Sequence, residues 1–295
     1  MKRFGFIFSL LTNILFSTIL SGQEPTVQVS NLAVTNATPS SITLSWSNGN
    51  GENTLILCKE VELTVYAIPD TYSFLADANY GDGDYLTATS GMPPTTTYNY
   101  IVYNGNGSSI TVTGLMDATK YMFYAVTYNG SGGTEDYLNT YETNYLSHFT
   151  SPFQASDITF SNIQANAITS SYTSGSGGNR IVLVKAGSPV DADPVDNTQY
   201  TANPVFGSGQ QLGTGNYVVA KGDNNNVTVT GLTAGVTYHF KVYEYILDGT
   251  NRDYRTDGFD EVTDNPNSQI TLKPEPTTQA SDISFTGTGS SEVSL

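Results

Sequence analysis

Apolar and polar residues alternate with a period of two along most of the chain. Ser41-Ile-Thr-Leu-Ser-Trp46, Ser109-Ile-Thr-Val-Thr113, Ala167 to Tyr172 and Asn226 to Thr230 each place their apolar side chains on one face of an extended segment. Asn53 to Lys59, Lys120 to Tyr128, Arg180 to Lys185 and Thr237 to Tyr245 are also rich in β-branched and aromatic residues, bounded by Gly, Asn and Pro clusters. Outside the first twenty residues, no window of about 12 residues shows an apolar repeat of 3.6. The pattern predicts an all-β chain.

The strands recur as a block. Gln28-Val-Ser-Asn-Leu-Ala-Val34 returns as Gln154-Ala-Ser-Asp-Ile-Thr-Phe160 and again as Gln279-Ala-Ser-Asp-Ile-Ser-Phe285, with starts 126 and 125 residues apart. That period is the length of a domain, not of a solenoid turn. The expected organisation is a leader over residues 1–23, module one over 24–150, module two over 151–274, and the opening of a third module over 275–295. Ser151-Pro152 and Lys273-Pro-Glu-Pro276 mark the joins. Proline restricts the backbone there, which predicts semi-rigid connections and an extended rod.

Thr111-Val-Thr-Gly-Leu115 is followed by Tyr121-Met-Phe123, and Thr228-Val-Thr-Gly-Leu232 by Tyr238-His-Phe240. A Leu six residues before a Tyr, with Tyr-x-Phe behind it, resembles the corner between the fifth and sixth strands of fibronectin type III domains. The resemblance implies immunoglobulin-like β-sandwiches, with the corner hydroxyl bonded to nearby backbone and the ring in the core. It assigns Leu115, Tyr121, Leu232 and Tyr238 to the interior. Trp46, the only tryptophan, and Tyr172 at the matching place stand where that family carries a core aromatic.

Both modules exceed the ~100 residues of a simple sandwich. The excess lies between the third strand and the Thr-Val-Thr-Gly-Leu segment. In module two it holds Asp191-Ala-Asp-Pro-Val-Asp196 and Tyr200 to Gly209; in module one it begins with the divergent Glu60 to Val65 and regains the pattern at Ala78-Asn-Tyr-Gly-Asp-Gly83. This is similar to a long variant of the fibronectin type III module found in large secreted and surface proteins of Bacteroidetes. That resemblance implies noncatalytic spacers, stalks or accessory domains, often exported by the type IX secretion system.

Composition narrows the function. Lys2-Arg3, an apolar run to Leu20 and small or polar residues to Gln23 have the order of a cleaved secretory signal. Its removal takes two of the 11 basic residues, leaving 9 against 27 acidic ones, and moves the formal charge from −16 to −18. Such a surface repels nucleic acid, and no later segment is apolar enough to span a bilayer of about 30 Å. A secreted or cell-surface location follows. The partners expected are other domains of the same chain and extracellular polysaccharide or surface proteins.

Chemistry is sparse. Cys58, the single cysteine, matches Val184 and reads as a small buried hydrophobe. Ser147 and His148 are neighbours on a strand and point to opposite faces, so they form no nucleophile and base pair; His239 is expected to face solvent. No catalytic residue, cofactor or metal ligand is assigned. Gly81-Asp-Gly-Asp84 and Asp191-Ala-Asp-Pro-Val-Asp196 lack the twelve-residue calcium-loop pattern, and calcium binding by these Asp-rich turns is left open. Tyr137 in Glu135-Asp-Tyr and Tyr254 in Arg252-Asp-Tyr occupy matching loops as candidate sugar-stacking residues, but their presence in both modules suits packing over the end of the sandwich better. The expected function is a noncatalytic structural and adhesive segment of a larger exported protein; the alternative is a carbohydrate-binding accessory region of a secreted hydrolase.

Overall fold

The computed structural model describes residues 23–60, 68–86, 98–140, 144–278 and 281. Residues 1–22 of the leader, the divergent stretch 61–65 and nearly all of the third repeat lie outside the described residues. The chain divides into two compact units, Met1–Ser151 and Pro152–Leu295.

In the first unit, β1 (Ser30–Thr38), β2 (Ser41–Ser47) and β6 (Ser109–Val112) form a three-stranded sheet in the order β1-β2-β6. The second sheet runs β4 (Tyr85–Leu86), β5 (Asn99–Gly105), β3 (Asn53–Glu60), β7 (Lys120–Asn129), with β8 (Asp136–Tyr137) and β9 (Tyr145–Phe149) sharing the far edge of β7. The second unit repeats the plan. Its small sheet is β10 (Ser156–Ser161), β11 (Ala167–Thr173) and β15 (Asn226–Thr230). Its large sheet is β13 (Gln211–Leu212), β14 (Asn216–Gly222), β12 (Asn179–Ala186) and β16 (Thr237–Asp248), edged by β17 (Asn251–Tyr254) and β18 (Asn267–Ile270). All these pairings are antiparallel. One three-stranded sheet facing a larger sheet in this order is the fibronectin type III arrangement, present twice.

The first four strands of the second unit start 126 residues after their counterparts, and the next three start 117 after. A nine-residue difference therefore falls between β4 and β5, where the second unit turns within Gly213-Thr214-Gly215.

The repeat signature now has physical reasons. Asn31 and Asp157, its fourth residues, both have φ of 53° at irregularities in the pairing of β1 and β10. Asn and Asp tolerate this left-handed backbone better than other non-glycine residues. Gln28 and Gln154, its first residues, plug a break in the large sheet between the two edge strands. The amide N–H of Thr127 donates to Gln28 Oε1 at 2.7 Å, and Gln28 Nε2 donates to Leu138 O at 2.8 Å. Glu244 N–H and Arg255 O meet Gln154 in the same way, at 3.0 and 2.6 Å.

Between the sheets, Trp46, Leu115 and Tyr121 lie in one buried cluster, and Tyr172, Leu232 and Tyr238 in the matching one. Trp46 Nε1 donates to Asn48 Oδ1 at 2.7 Å, and its ring meets Tyr103 at 5.0 Å edge to face. At the corners, the amide N–H of Met116 donates to the Tyr121 hydroxyl at 3.0 Å and that of Thr233 to Tyr238 at 2.8 Å. Cys58 shares the first interior, where burial pushes its thiol well above the ordinary range.

Each buried cluster draws its residues from one unit, so damage to one interior is expected to stay there. Tyr238→Phe should cost about 1 kcal/mol through the lost bond, and Tyr238→Ala about 3–5 kcal/mol through lost packing. In urea, circular dichroism should show early melting of part of the structure while the emission of Trp46, which lies in the other unit, keeps its wild-type midpoint. A Trp46 midpoint that moves with Tyr238→Ala would contradict this.

Candidate functional site

The described parts of the long inserts carry the Asp-rich turns, and in each unit they lie against the outer face of its large sheet. The central strands explain why. β2 shows one buried face, but β3 and β7 are buried on both. A strand with apolar side chains on both sides needs two covers. The small sheet supplies one, and the insert the other.

Matching hydrogen bonds seat the inserts. Asp77 N–H donates to Ile101 O and Asn203 N–H to Val218 O, both at 3.1 Å. Tyr80 N–H and Phe206 N–H each reach the carbonyl at the end of the neighbouring strand, Thr113 and Thr230, at 2.9 Å. Gly83 and Gly209 permit the closest approach: an added Cβ would sit 2.2 Å from Ile101 O and 2.0 Å from Val218 O. No other residue fits there. Beside these contacts, Tyr80 lies edge-on to corner Tyr121 at 5.2 Å and Phe206 to Tyr238 at 5.0 Å. The insert of module one thus regains the docking of module two over Asp77 to Gly83.

Under each insert is a second buried cluster. Ile68 and Phe74 cover Leu55, Leu57, Tyr124 and Tyr128; Tyr200 covers Ile181, Leu183, Tyr243 and Tyr245. Tyr137 and Tyr254 belong to these clusters, only 1% and 6% exposed. Of the two readings of these rings, their burial fits packing, and ligand contact is set aside. Tyr137 donates its hydroxyl to Tyr72 O at 2.9 Å and its amide N–H to Asp70 Oδ1 at 3.0 Å. Tyr254 does the same with Thr198 O and Asp196 Oδ1, at 3.0 and 2.8 Å. The adjoining backbone and carboxylate fasten the insert, and neither ring offers a face to a sugar.

The other aspartates are likewise engaged. Asp191 Oδ1 accepts from Lys185 Nζ at 2.6 Å and Asn216 Nδ2 at 2.9 Å, which hold its carboxyl below the usual range. Asp193 Oδ1 accepts from the Tyr243 hydroxyl at 2.7 Å. Asp82 takes Asn79 Nδ2 at 2.6 Å and Asp84 takes Leu75 N–H at 2.8 Å. No three His, Cys, Asp or Glu side chains gather among the described residues. His148 Nδ1 lies 2.5 Å from its neighbour's carbonyl in β9, while His239 lines a shallow surface depression with Pro189 and Pro266 in the other unit.

Two features escape a reading of pattern alone. One is the glutamine plug, whose only signal is recurrence at the head of each repeat. The other is a buried ion pair in module two: Arg180 Nε meets Glu244 Oε1 at 2.8 Å, with side chains 5% and 0% exposed. Glu244 Oε1 also accepts from Gly175 N–H at 2.9 Å, and Arg180 Nη1 donates to Asn224 O at 3.0 Å. Module one places Thr54 opposite Thr127 at the same register.

Two tests follow from these buried groups. Burial pushes the Tyr172 phenol up to about 12, opposed by the Arg180 guanidinium, and raises Tyr121, Tyr128, Tyr245 and Tyr254 as well. Unfolded tyrosine titrates near ~10, so above that pH the native chain holds protons the unfolded chain has lost. Stability is fully present below pH ~10 and falls as pH rises through ~12; urea midpoints across this range, with tyrosinate absorbance, should show the loss. Separately, Arg180→Ala is expected to cost about 3–5 kcal/mol by stranding a buried carboxylate. Arg180→Thr with Glu244→Thr, copying module one, should be more stable in urea than either single variant.

No protein-family model matches the chain, and no curated protein matches it. Among solved structures it is similar to a two-domain fibronectin type III segment of chicken tenascin, at 13% identity over 83% of this chain and 99% of that one, with a TM-score of 0.39. It is also similar to the central fibronectin-III array of RIM-binding protein, at 8% identity over 86% of this chain and 71% of that one, with a TM-score of 0.24. Likenesses this loose carry no argument. The strand order, present twice, makes the chain a tandem of fibronectin type III-like sandwiches.

Proposed function

We propose that the two sandwiches are a noncatalytic structural and adhesive spacer within an exported or surface-exposed protein, akin to the long Bacteroidetes variant of the module. One observation carries the reading: the conspicuous aspartate and tyrosine pairs that recur in both units, Asp70 with Tyr137 and Asp196 with Tyr254, are bonded between the insert and the sheet beneath it. Duplication of the same bonds points to cohesion, since a catalytic or ligand site would need groups left unengaged. The charged start, apolar run and small-residue end of the leader support export. No helix among the described residues is long and apolar enough to cross a membrane. The partners proposed are neighbouring domains of the same chain and extracellular polysaccharide or surface proteins.

Exported protein should begin near Ser21 to Glu24 by N-terminal sequencing, and residues 151–274 should be replaceable by an unrelated sandwich of similar size without loss of surface attachment. A retained leader would overturn export. Loss of attachment in a well-folded replacement would overturn the spacer role.

A further inference from the structure

Module one carries an aromatic file that module two does not complete. It starts at the buried corner Tyr121, passes to Tyr80 at 5.2 Å, to Tyr100 at 5.0 Å, and then to Tyr85 at 6.0 Å. Tyr98 closes the outer end, 4.5 Å from Tyr85 and 6.0 Å from Tyr100. In module two the file runs Tyr238, Phe206, Tyr217, with steps of 5.0 and 5.1 Å, and ends there. Gln211 stands at the place of Tyr85, and Gly215 at that of Tyr98. The fold therefore closes without those two rings.

The hydroxyls differ as well. Tyr80, Tyr103, Tyr121 and Tyr137 all bond backbone groups of their own unit. The hydroxyls of Tyr85, Tyr98 and Tyr100 make no hydrogen bond among the described residues, and Tyr85 is 52% exposed. Tyr85 is exposed and Tyr98 and Tyr100 are half-buried, so the three rings, which hold one another, bring apolar surface together with hydroxyls that have no internal partner among the described residues. A sugar ring has the same mixed character, with C–H faces and equatorial hydroxyls. Charge selects among sugars. Lys59 and Lys120 are the only basic residues between positions 24 and 150, and the chain carries −16 overall. That field disfavours an anionic ligand.

We propose that Tyr85, Tyr98 and Tyr100 form a stacking platform for a neutral saccharide on module one. The site is distinct from Tyr137 and goes beyond the spacer reading, which stands with or without a bound sugar. The full chain should be retarded in affinity gels cast with at least one of cellulose derivative, xylan, α-glucan or glycol chitin. Tyr85→Gln with Tyr98→Gly, which copies module two, should weaken that retardation about tenfold and leave the Trp46 unfolding midpoint unchanged. Retardation by none of these polymers, or by an anionic polysaccharide alone, would overturn the proposal. So would equal retardation of the double variant. Sedimentation at rising concentration provides the remaining outcome: self-association lost in the double variant, without sugar binding, would overturn the saccharide site and assign the rings to contact between copies of this chain.

Discussion

A large sheet that is apolar on both faces governs this molecule. Leu55, Leu57, Val126 and Tyr128 look one way from β3 and β7, while Ile56, Cys58, Phe123 and Ala125 look the other. The three-stranded sheet can cover only one of these faces. Fully burying a large apolar side chain is worth roughly 1.5–3 kcal/mol, so leaving the other face in water would forfeit several such contributions in each unit. The insert is thus part of the folding unit. Its length, its glycines at the points of closest approach and its tethering aspartates all follow from the need to hold irregular chain against a sheet without leaving backbone groups unpaired.

Duplication separates what that constraint dictates from what it allows. The seating of the insert, the glutamine plug, the left-handed fourth residue and the corner tyrosine recur in both units. The facing pair on the two central strands does not: Arg180 with Glu244 in one unit, Thr54 with Thr127 in the other. The threonines satisfy themselves locally, Thr127 Oγ1 reaching Asn53 O at 3.2 Å, whereas the ions require a cage of backbone donors and acceptors. A buried ion pair recovers much of its desolvation through such a cage and contributes little beyond it. Two solutions at one register are what near-neutral exchange would leave behind.

How much of this was legible in the sequence depended on the range of the interaction. The all-β class could be read because alternation is a property of single strands. The corner was readable because Tyr121 and its donor Met116 are five residues apart. Packing by Tyr137 was suggested only by its recurrence as Tyr254, and its partners were not readable, since Tyr72 and Asp70 lie more than sixty residues earlier. Asp191, Asp193 and Asp196 sit close in sequence and suggest a shared ion, yet each serves a different partner once the insert is laid down. The continuous apolar runs in β3 and β12 did carry a signal of two-sided burial, because a one-sided strand would have alternated.

Covering the outer face also limits how such units can meet other chains. The large sheet of the second unit ends in β13, a strand of only two residues, too short to template a neighbour's strand. The small sheets begin in β1 and β10, whose irregular pairing at Asn31 and Asp157 twists that edge away from regular extension. Their outward rows are hydroxyl-lined, with Thr43 bonded to Thr111 at 2.9 Å and Thr169 to Thr228 at 3.0 Å. An uncharged row of self-bonded threonines gives water a wetted surface and a protein partner little apolar area to bury. With sheet faces covered or wetted and the first edge of each small sheet irregular, specific recognition by these units draws on side chains the fold does not itself consume.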